Sequence, residues 1–182
     1  LIVKAKRILV CVTGSIAAYR VCDVISELKK RGAEVRAMMT KHAAEFITPL
    51  TLSSLTGNKV YRELFDEPVE GLLHTSLADF ADLIVVMPAT ANFIARLACG
   101  LADDLPTSVI LASRARVLLV PAMNDQMYRN PLTQKNLKTL RETGCEIEGP
   151  IEGHLACGRE GVGHIASQES ILKKIGSLLG TS

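Results

Sequence analysis

No stretch of this 182-residue chain reaches about 18 uninterrupted apolar residues, although 48% of its residues are hydrophobic, and this argues against a membrane-spanning helix. A basic stripe is also missing. Lys and Arg total 21 against 19 Asp and Glu, a net charge of +2, and the cations are scattered. The densest cluster, Lys29-Lys30-Arg31, falls at an expected helix end, where cations complement the dipole. A nucleic-acid interface would need a continuous basic face. The five cysteines, Cys11, Cys22, Cys99, Cys145 and Cys157, are odd in number and no two have CxxC spacing. That argues against a disulfide framework or a zinc site, so no metal is expected. A reducing compartment, the cytoplasm, fits this usage. Internal repeats and low-complexity tracts are absent. The apolar start Leu1-Ile2-Val3 is followed at once by Lys4, Lys6 and Arg7, the wrong order for a signal peptide.

What is present is an alternation of short apolar runs with amphipathic stretches. Residues 8–12, 34–39, 83–87 and 117–120 read as buried strands, the last two each bounded by proline. From Ile16 to Arg31 the period becomes helical. Val21, Val24, Ile25 and Leu28 share one face, Arg20, Asp23, Glu27 and Lys30 the other, and Gly32 supplies the stop. Further helices are expected over 75–80, 92–100, 104–112, 132–143 and 171–179. Continuous apolar strands imply a sheet covered on both faces. Strand–helix alternation implies an α/β fold, a doubly wound parallel sheet in three layers and one domain. Ligands of such sheets bind beyond the carboxyl ends of the strands, so the loops that follow strands carry the interest.

The first of these is Thr13-Gly14-Ser15-Ile16. Gly14 permits close backbone approach, and a helix N-terminus favours a phosphate. The loop is neither GxGxxG nor a Walker loop, so a single phosphate is favoured over a dinucleotide or nucleoside triphosphate. Ser15 as a simple helix cap is the competing reading. In Pro88-Ala89-Thr90-Ala91-Asn92, small residues leave room for a flat ring, and Thr90 and Asn92 could bond a ligand or cap the next helix. In residues 121–128, PAMNDQMY, Asn124 could read a carboxylate or form an Asx turn. His74 is expected just ahead of a helix. A lone histidine is more often structural than catalytic, and its use as a base needs a suitable pKa. Residues 153–165 hold four glycines and predict a mobile flap instead of a regular element. Cys157 lies within it near Arg159 and is expected to be accessible, whereas Cys11 and Cys22 read as core residues.

In order along the chain, GSIAAYR (14–20), HTSLADFADLIVVMPATANFIARLACGLADDLPTSV (74–109), PAMNDQMY (121–128) and LACGREGVGHI (155–165) resemble the homo-oligomeric flavin-containing cysteine decarboxylases. The phosphopantothenoylcysteine branch fits best, through Leu-Ala-Cys-Gly and Ala-Asp-Asp-Leu. The resemblance implies a flavodoxin-like fold that binds FMN across residues 1–182, with the flap at about 153–165. It also implies a homotrimer or dodecamer with sites between subunits, and it leaves open whether a C-terminal phosphopantothenate–cysteine ligase domain follows this segment. The expected reaction converts phosphopantothenoylcysteine to phosphopantetheine in coenzyme A biosynthesis, through a thioaldehyde, loss of carbon dioxide and reduction of the enethiol.

By motif match, His74 and Cys157 are the expected catalytic residues, with Cys157 as proton donor. Asn124 is expected to read the substrate carboxylate, alongside Ala122, Met123, Leu155 and Ala156. Gly14, Ser15, Ile16, Thr40 and Ser54 are expected at the cofactor, with Thr90, Ala91, Asn92 and again Ala122. Two departures from the family pattern stand out: Tyr128 where Trp is usual, and Gly163-His164-Ile165 where Gly-Arg-Met is common. Rival readings are a peptidyl-cysteine decarboxylase, a flavin prenyltransferase, a non-catalytic flavin-binding regulatory subunit and a flavodoxin-like electron carrier.

Overall fold

A computed structural model describes residues 3–65, 72–154, 158 and 160–181. Six strands form one parallel sheet: β1 (Arg7–Val12), β2 (Glu34–Met39), β3 (Val60–Tyr61), β4 (Leu83–Ala89), β5 (Arg116–Pro121) and β6 (Glu146–Ile147). Their order is β3-β2-β1-β4-β5-β6. The chain builds outward from β1 to β2 and β3, then returns to lay β4 on the other side of β1. That reversal opens a crevice at the carboxyl ends of β1 and β4, where open α/β sheets take their ligands.

The strands are apolar throughout because both faces are covered. Alternate residues part to opposite sides, as the pleat requires. Ile8, Val10 and Val12 join one core with α1 (Val21–Lys30), α2 (Pro49–Thr56) and α8 (Gln168–Leu178). Leu9 and Cys11 join the other. That second core is closed by α3 (Leu73–Phe80), α4 (Ala91–Ala98), α5 (Leu105–Ala112) and α7 (Pro131–Glu142). The helix face expected from spacing in α1 is the buried one: Val21, Val24, Ile25 and Leu28. No helix among the described residues is long and apolar enough to cross a membrane.

Several local expectations need correction. Residues 16–31 are not one helix: a 3-10 turn (Ile16–Arg20) precedes α1. Its cap, Ser15, bonds the amide of Ala17, two residues on, and starts the chain in the tighter winding. Pro88 does not end its strand. β4 continues to Ala89 with a register shift between Val86 and Ala89, and a residue without an N–H is tolerated at such an irregularity. His74 lies inside the first turn of α3 and not before it.

The glycine-rich stretch is also not devoid of regular structure. Its two arms, β7 (Ile151–His154) and β8 (Glu160–His164), pair as an antiparallel hairpin. Glycine there reflects close packing. A Cβ on Gly161 would meet Asp125 Cβ at 2.9 Å, and one on Gly163 would meet the Met123 carbonyl oxygen at 2.1 Å.

Candidate functional site

Two loops at the crevice are pinned to each other by one buried side chain. Thr13, at the end of β1, donates its hydroxyl to the Pro88 carbonyl at 2.6 Å and accepts the Thr90 amide at 3.2 Å. Thr13 is 1% exposed, so the bond is shielded from water. The loop after β2 closes the other side. Gly14 makes this possible, because a Cβ there would lie 2.7 Å from His42 Cβ.

A cleft of about 810 Å³ results. Gly14, Ser15 and Thr40 line one side of it, and Thr90, Ala91 and Asn92 the other. Ala122 and Met123 contribute from the loop after β5. Small side chains at positions 91 and 122 leave flat walls. Thr40 Oγ1 is buried and has no hydrogen-bond partner among the described residues, although an orphaned buried hydroxyl is costly. It is a polar atom ready for a ligand. The N-terminus of α4 also opens on the cleft, and such a terminus favours an anion. The residues present therefore fit a flat, phosphate-bearing cofactor.

The capping readings hold as well. Ser15 Oγ accepts from Ala17 N, Thr90 Oγ1 from Phe93 N, and Asn124 Oδ1 from Gln126 N. Capping occupies one lone pair or one end of each side chain, so it does not exclude ligand contact. Asn124 caps α6 (Asp125–Arg129), which fixes its orientation.

A second cavity of about 440 Å³ adjoins the first and shares Ser15, Ala122 and Met123 with it. Ile16 and Asn124 line this one. Its outer wall is the hairpin, tied to the Asn124 loop by the Met123 amide, which donates to the Gly163 carbonyl at 3.1 Å. Beneath the hairpin, Asp125 Oδ1 is buried without a hydrogen-bond partner among the described residues.

Over residues 3–180 the chain matches the family model described as Flavoprotein. The chain belongs to the flavoprotein family. It is 47% identical over 167 residues to the coenzyme A biosynthesis bifunctional protein CoaBC of Haemophilus influenzae. That alignment takes in 91% of the chain and 42% of the relative. Identity to the CoaBC protein of Bacillus subtilis is 44% over 170 residues, 92% of the chain and 42% of the relative. The chain thus spans less than half the length of these curated relatives. Among solved structures, a cysteine-to-serine mutant of PPC decarboxylase complexed with pantothenoylaminoethenethiol superposes with a TM-score of 0.86 at 30% identity, over 98% of this chain and 100% of that one. The FMN-dependent cysteine decarboxylase SpaF gives 0.83 at 31% identity, over 97% of each chain.

In this flavoprotein not every expected site residue reaches the cleft. Ser54 is exposed on α2 and turns its hydroxyl back to the Leu50 carbonyl at 2.8 Å. His74 lines neither cavity. Leu155, Ala156 and Cys157 lie outside the described residues, as does Arg159. Cys11 is fully buried, and burial pushes its thiol pKa well up. Burial raises the Cys145 thiol, and that of the half-buried Cys22. None of these three is poised as a thiolate.

Two contributors to the cleft carry no signal of their own in the sequence. Thr13 is there only one residue of its loop. Arg96 lines the cleft at the end of an ion-pair cluster with Asp103 and Asp104, and Asp104 also forms a capping box with Thr107 on α5. The spacing Arg96-x₆-Asp103-Asp104 was visible, but the turn that folds one onto the other was not. Among the described residues no group of three His, Cys, Asp or Glu could hold a metal ion.

Proposed function

We propose that this chain is the FMN-dependent decarboxylase of phosphopantothenoylcysteine, producing phosphopantetheine for coenzyme A. One observation carries the reading: a flat-walled cleft with an orphaned Thr40 hydroxyl opens directly into a second cavity that ends on Asn124. Cofactor and carboxylate reader therefore meet at Ser15, Ala122 and Met123. The family, and relatives named for coenzyme A biosynthesis and PPC decarboxylase, support the same assignment.

Gly14, Ser15, Thr40, Thr90, Ala91 and Asn92 would hold FMN. Bound there, it supplies a reversible two-electron oxidation that gives an otherwise inert cysteine carboxylate an electron sink. The remaining work belongs to the protein. Asn124, held by its bond to Gln126 N, would present its side-chain amide to the substrate carboxylate and place it beside the cofactor. Met123 and the hairpin wall that side of the cavity off from water. Cys157, by the family resemblance, gives a proton to the carbon left after carbon dioxide departs. His74 assists the earlier oxidation and decarboxylation. Because His74 lines neither cavity of its own chain, we place it in the site of a neighbouring copy, in a trimer or an assembly of trimers. The bifunctional relatives, of which this chain spans 42%, support a second module in the whole protein, expected to be the ligase that joins phosphopantothenate to cysteine.

The test is turnover. The purified yellow protein with phosphopantothenoylcysteine should yield a product lighter by carbon dioxide in mass detection. Cys-ending peptides added in competition should be left intact. A flavin-loaded protein that decarboxylates the peptides in preference would transfer the assignment to a peptidyl-cysteine substrate.

A further inference from the structure

The second cavity holds more positive chemistry than one carboxylate requires. Its inner end is Asn124 and the residues it shares with the cofactor cleft. At its outer end stand Arg20 and His164, which close the 3-10 turn and β8 respectively; His154, which closes β7, lies opposite Glu160 at the other end of the hairpin. Two elements distant in sequence thus bring basic side chains to one place. Between the two ends the walls are apolar, through Ile16, Ala17 and Ile165.

Both of these side chains are held in position. The Arg20 guanidinium lies 5.1 Å from the centroid of the Tyr19 ring, a cation–π contact. His164 Nδ1 lies 2.9 Å from the Ile165 carbonyl oxygen. A carbonyl only accepts, so Nδ1 carries a proton and Nε2 is left for another partner. Carboxylates flank this end without lining it. Asp23 lines a separate 210 Å³ cavity that Arg20 and His164 also touch. Glu160 stands opposite His154 in the hairpin register, and Asp125 packs against Gly161. Among the described residues, no Asp or Glu lines the cavity itself.

We infer that the outer end of this cavity is a phosphate-monoester site, with Arg20 and His164 as its principal specificity residues. The inference rests on the decarboxylase reading and says which end of the substrate goes where. Arg20 is five residues beyond Ser15 along a 3-10 turn that rises about 2 Å per residue, so it sits on the order of 10 Å from the inner end. A linear molecule with an acid at each end can bridge the two ends. Its carboxylate meets Asn124 and its phosphate meets the guanidinium, whose fork suits phosphate oxygens. His164 has Nε2, the ring nitrogen not bonded to the Ile165 carbonyl, left for a contact with the phosphate. In this arrangement His164 stands where arginine is common in the family, and Arg20 supplies both the charge and the fork. A Cys-ending peptide carries nothing for the outer end to bind.

The experiment compares phosphopantothenoylcysteine with its dephosphorylated analogue, pantothenoylcysteine, on the flavin-loaded protein and on Arg20→Gln and His164→Gln. Flavin absorbance serves as the check on folding. The wild-type protein should favour the phosphorylated compound in kcat/KM by about ten- to a hundredfold, the range of a hydrogen-bonded charged group. Each variant should cut that ratio about tenfold. Calorimetric binding of phosphopantothenate and pantothenate reads the same preference without turnover. A ratio unchanged in both variants, or phosphopantothenate bound no tighter than pantothenate by the wild type, overturns the site. Turnover of neither cysteine compound would overturn the decarboxylase reading instead, and the binding comparison would then decide the phosphate site alone.

Discussion

Gly163 shows how one missing side chain shapes the site. Its Cβ would sit 2.1 Å from the Met123 carbonyl oxygen, a backbone atom that no rotamer change can move. Gly163→Ala must push the hairpin off the loop that carries Asn124, breaking the bond from the Met123 amide. Overpacking of this kind costs about 1–3 kcal/mol. The expected outcome is a lower denaturation midpoint together with a raised KM. A variant with wild-type KM would show that the hairpin does not position the Asn124 loop. Asp82 gives a second residue-scale prediction, at the amino ends of the central strands, away from the crevice. Its carboxylate accepts from the Arg7 side chain at 2.8 Å and from the Arg7 amide at 2.8 Å. The side-chain hydrogen bond to Arg7, chiefly, lowers its pKa. A depressed carboxylate stabilises the fold above its unfolded pKa, about 3.9, and that contribution is lost as pH falls through the folded value. The pair is partly exposed, so Asp82→Asn should cost about 1 kcal/mol or less at neutral pH. Below about pH 4 the two proteins should converge in urea denaturation; a gap that persisted would exclude the ion pair as its source.

At the scale of elements, the crevice depends on β1 and β4 holding their trailing loops together, and Thr13 is the link. Thr13→Val keeps the shape but removes the donor to Pro88 O and the acceptor for Thr90 N. Leaving such groups unmet costs about 1–3 kcal/mol. The loops that would flank FMN should then separate, so flavin affinity should fall along with stability. A stability loss with unchanged flavin affinity would confine the bond to the core. The same two strands show what spacing can reveal. Long apolar runs such as residues 8–12 and 83–87 have few alternatives to a buried strand, and α1 exposes its period plainly. The edge strands β3 and β6 are two residues each. They exist only because a longer neighbour offers a free edge, a tertiary cause with no local signature. The hairpin was missed for a related reason. Its glycines signal freedom when read locally, yet Gly161 and Gly163 are demanded by contacts with Asp125 and Met123, some forty residues away in sequence. Ser15, Thr90 and Asn124 are legible as cavity-lining residues because the loops that follow strands border the crevice in this fold. Arg96 was missed because an arginine on a helix is unremarkable until two aspartates fold onto it.

At the scale of the whole molecule, the location of His74 is the decisive fact. It lies in the first turn of α3, in the layer of α4, α5 and α7, while the cavity that ends on Asn124 is walled by the 3-10 turn and the hairpin. One chain therefore does not bring the two together. In a closed ring with head-to-tail interfaces, each site would take Asn124 from one copy and His74 from the next. His74→Asn and Asn124→Asp should each be inactive alone. Asn124→Asp can still cap α6, but it sets a carboxylate against the substrate carboxylate. Co-expressed in equal amounts, the two variants form mixed rings. A site is intact only where its Asn124 donor is the His74→Asn chain and its His74 donor is the Asn124→Asp chain. Random assembly meets both conditions in about one site in four, so the mixture should regain about a quarter of wild-type turnover. If both residues served the same site from one chain, every site would lack one of them and no mixture would regain activity. Purified mixed rings that stay inactive while binding flavin fully would therefore return His74 to its own subunit.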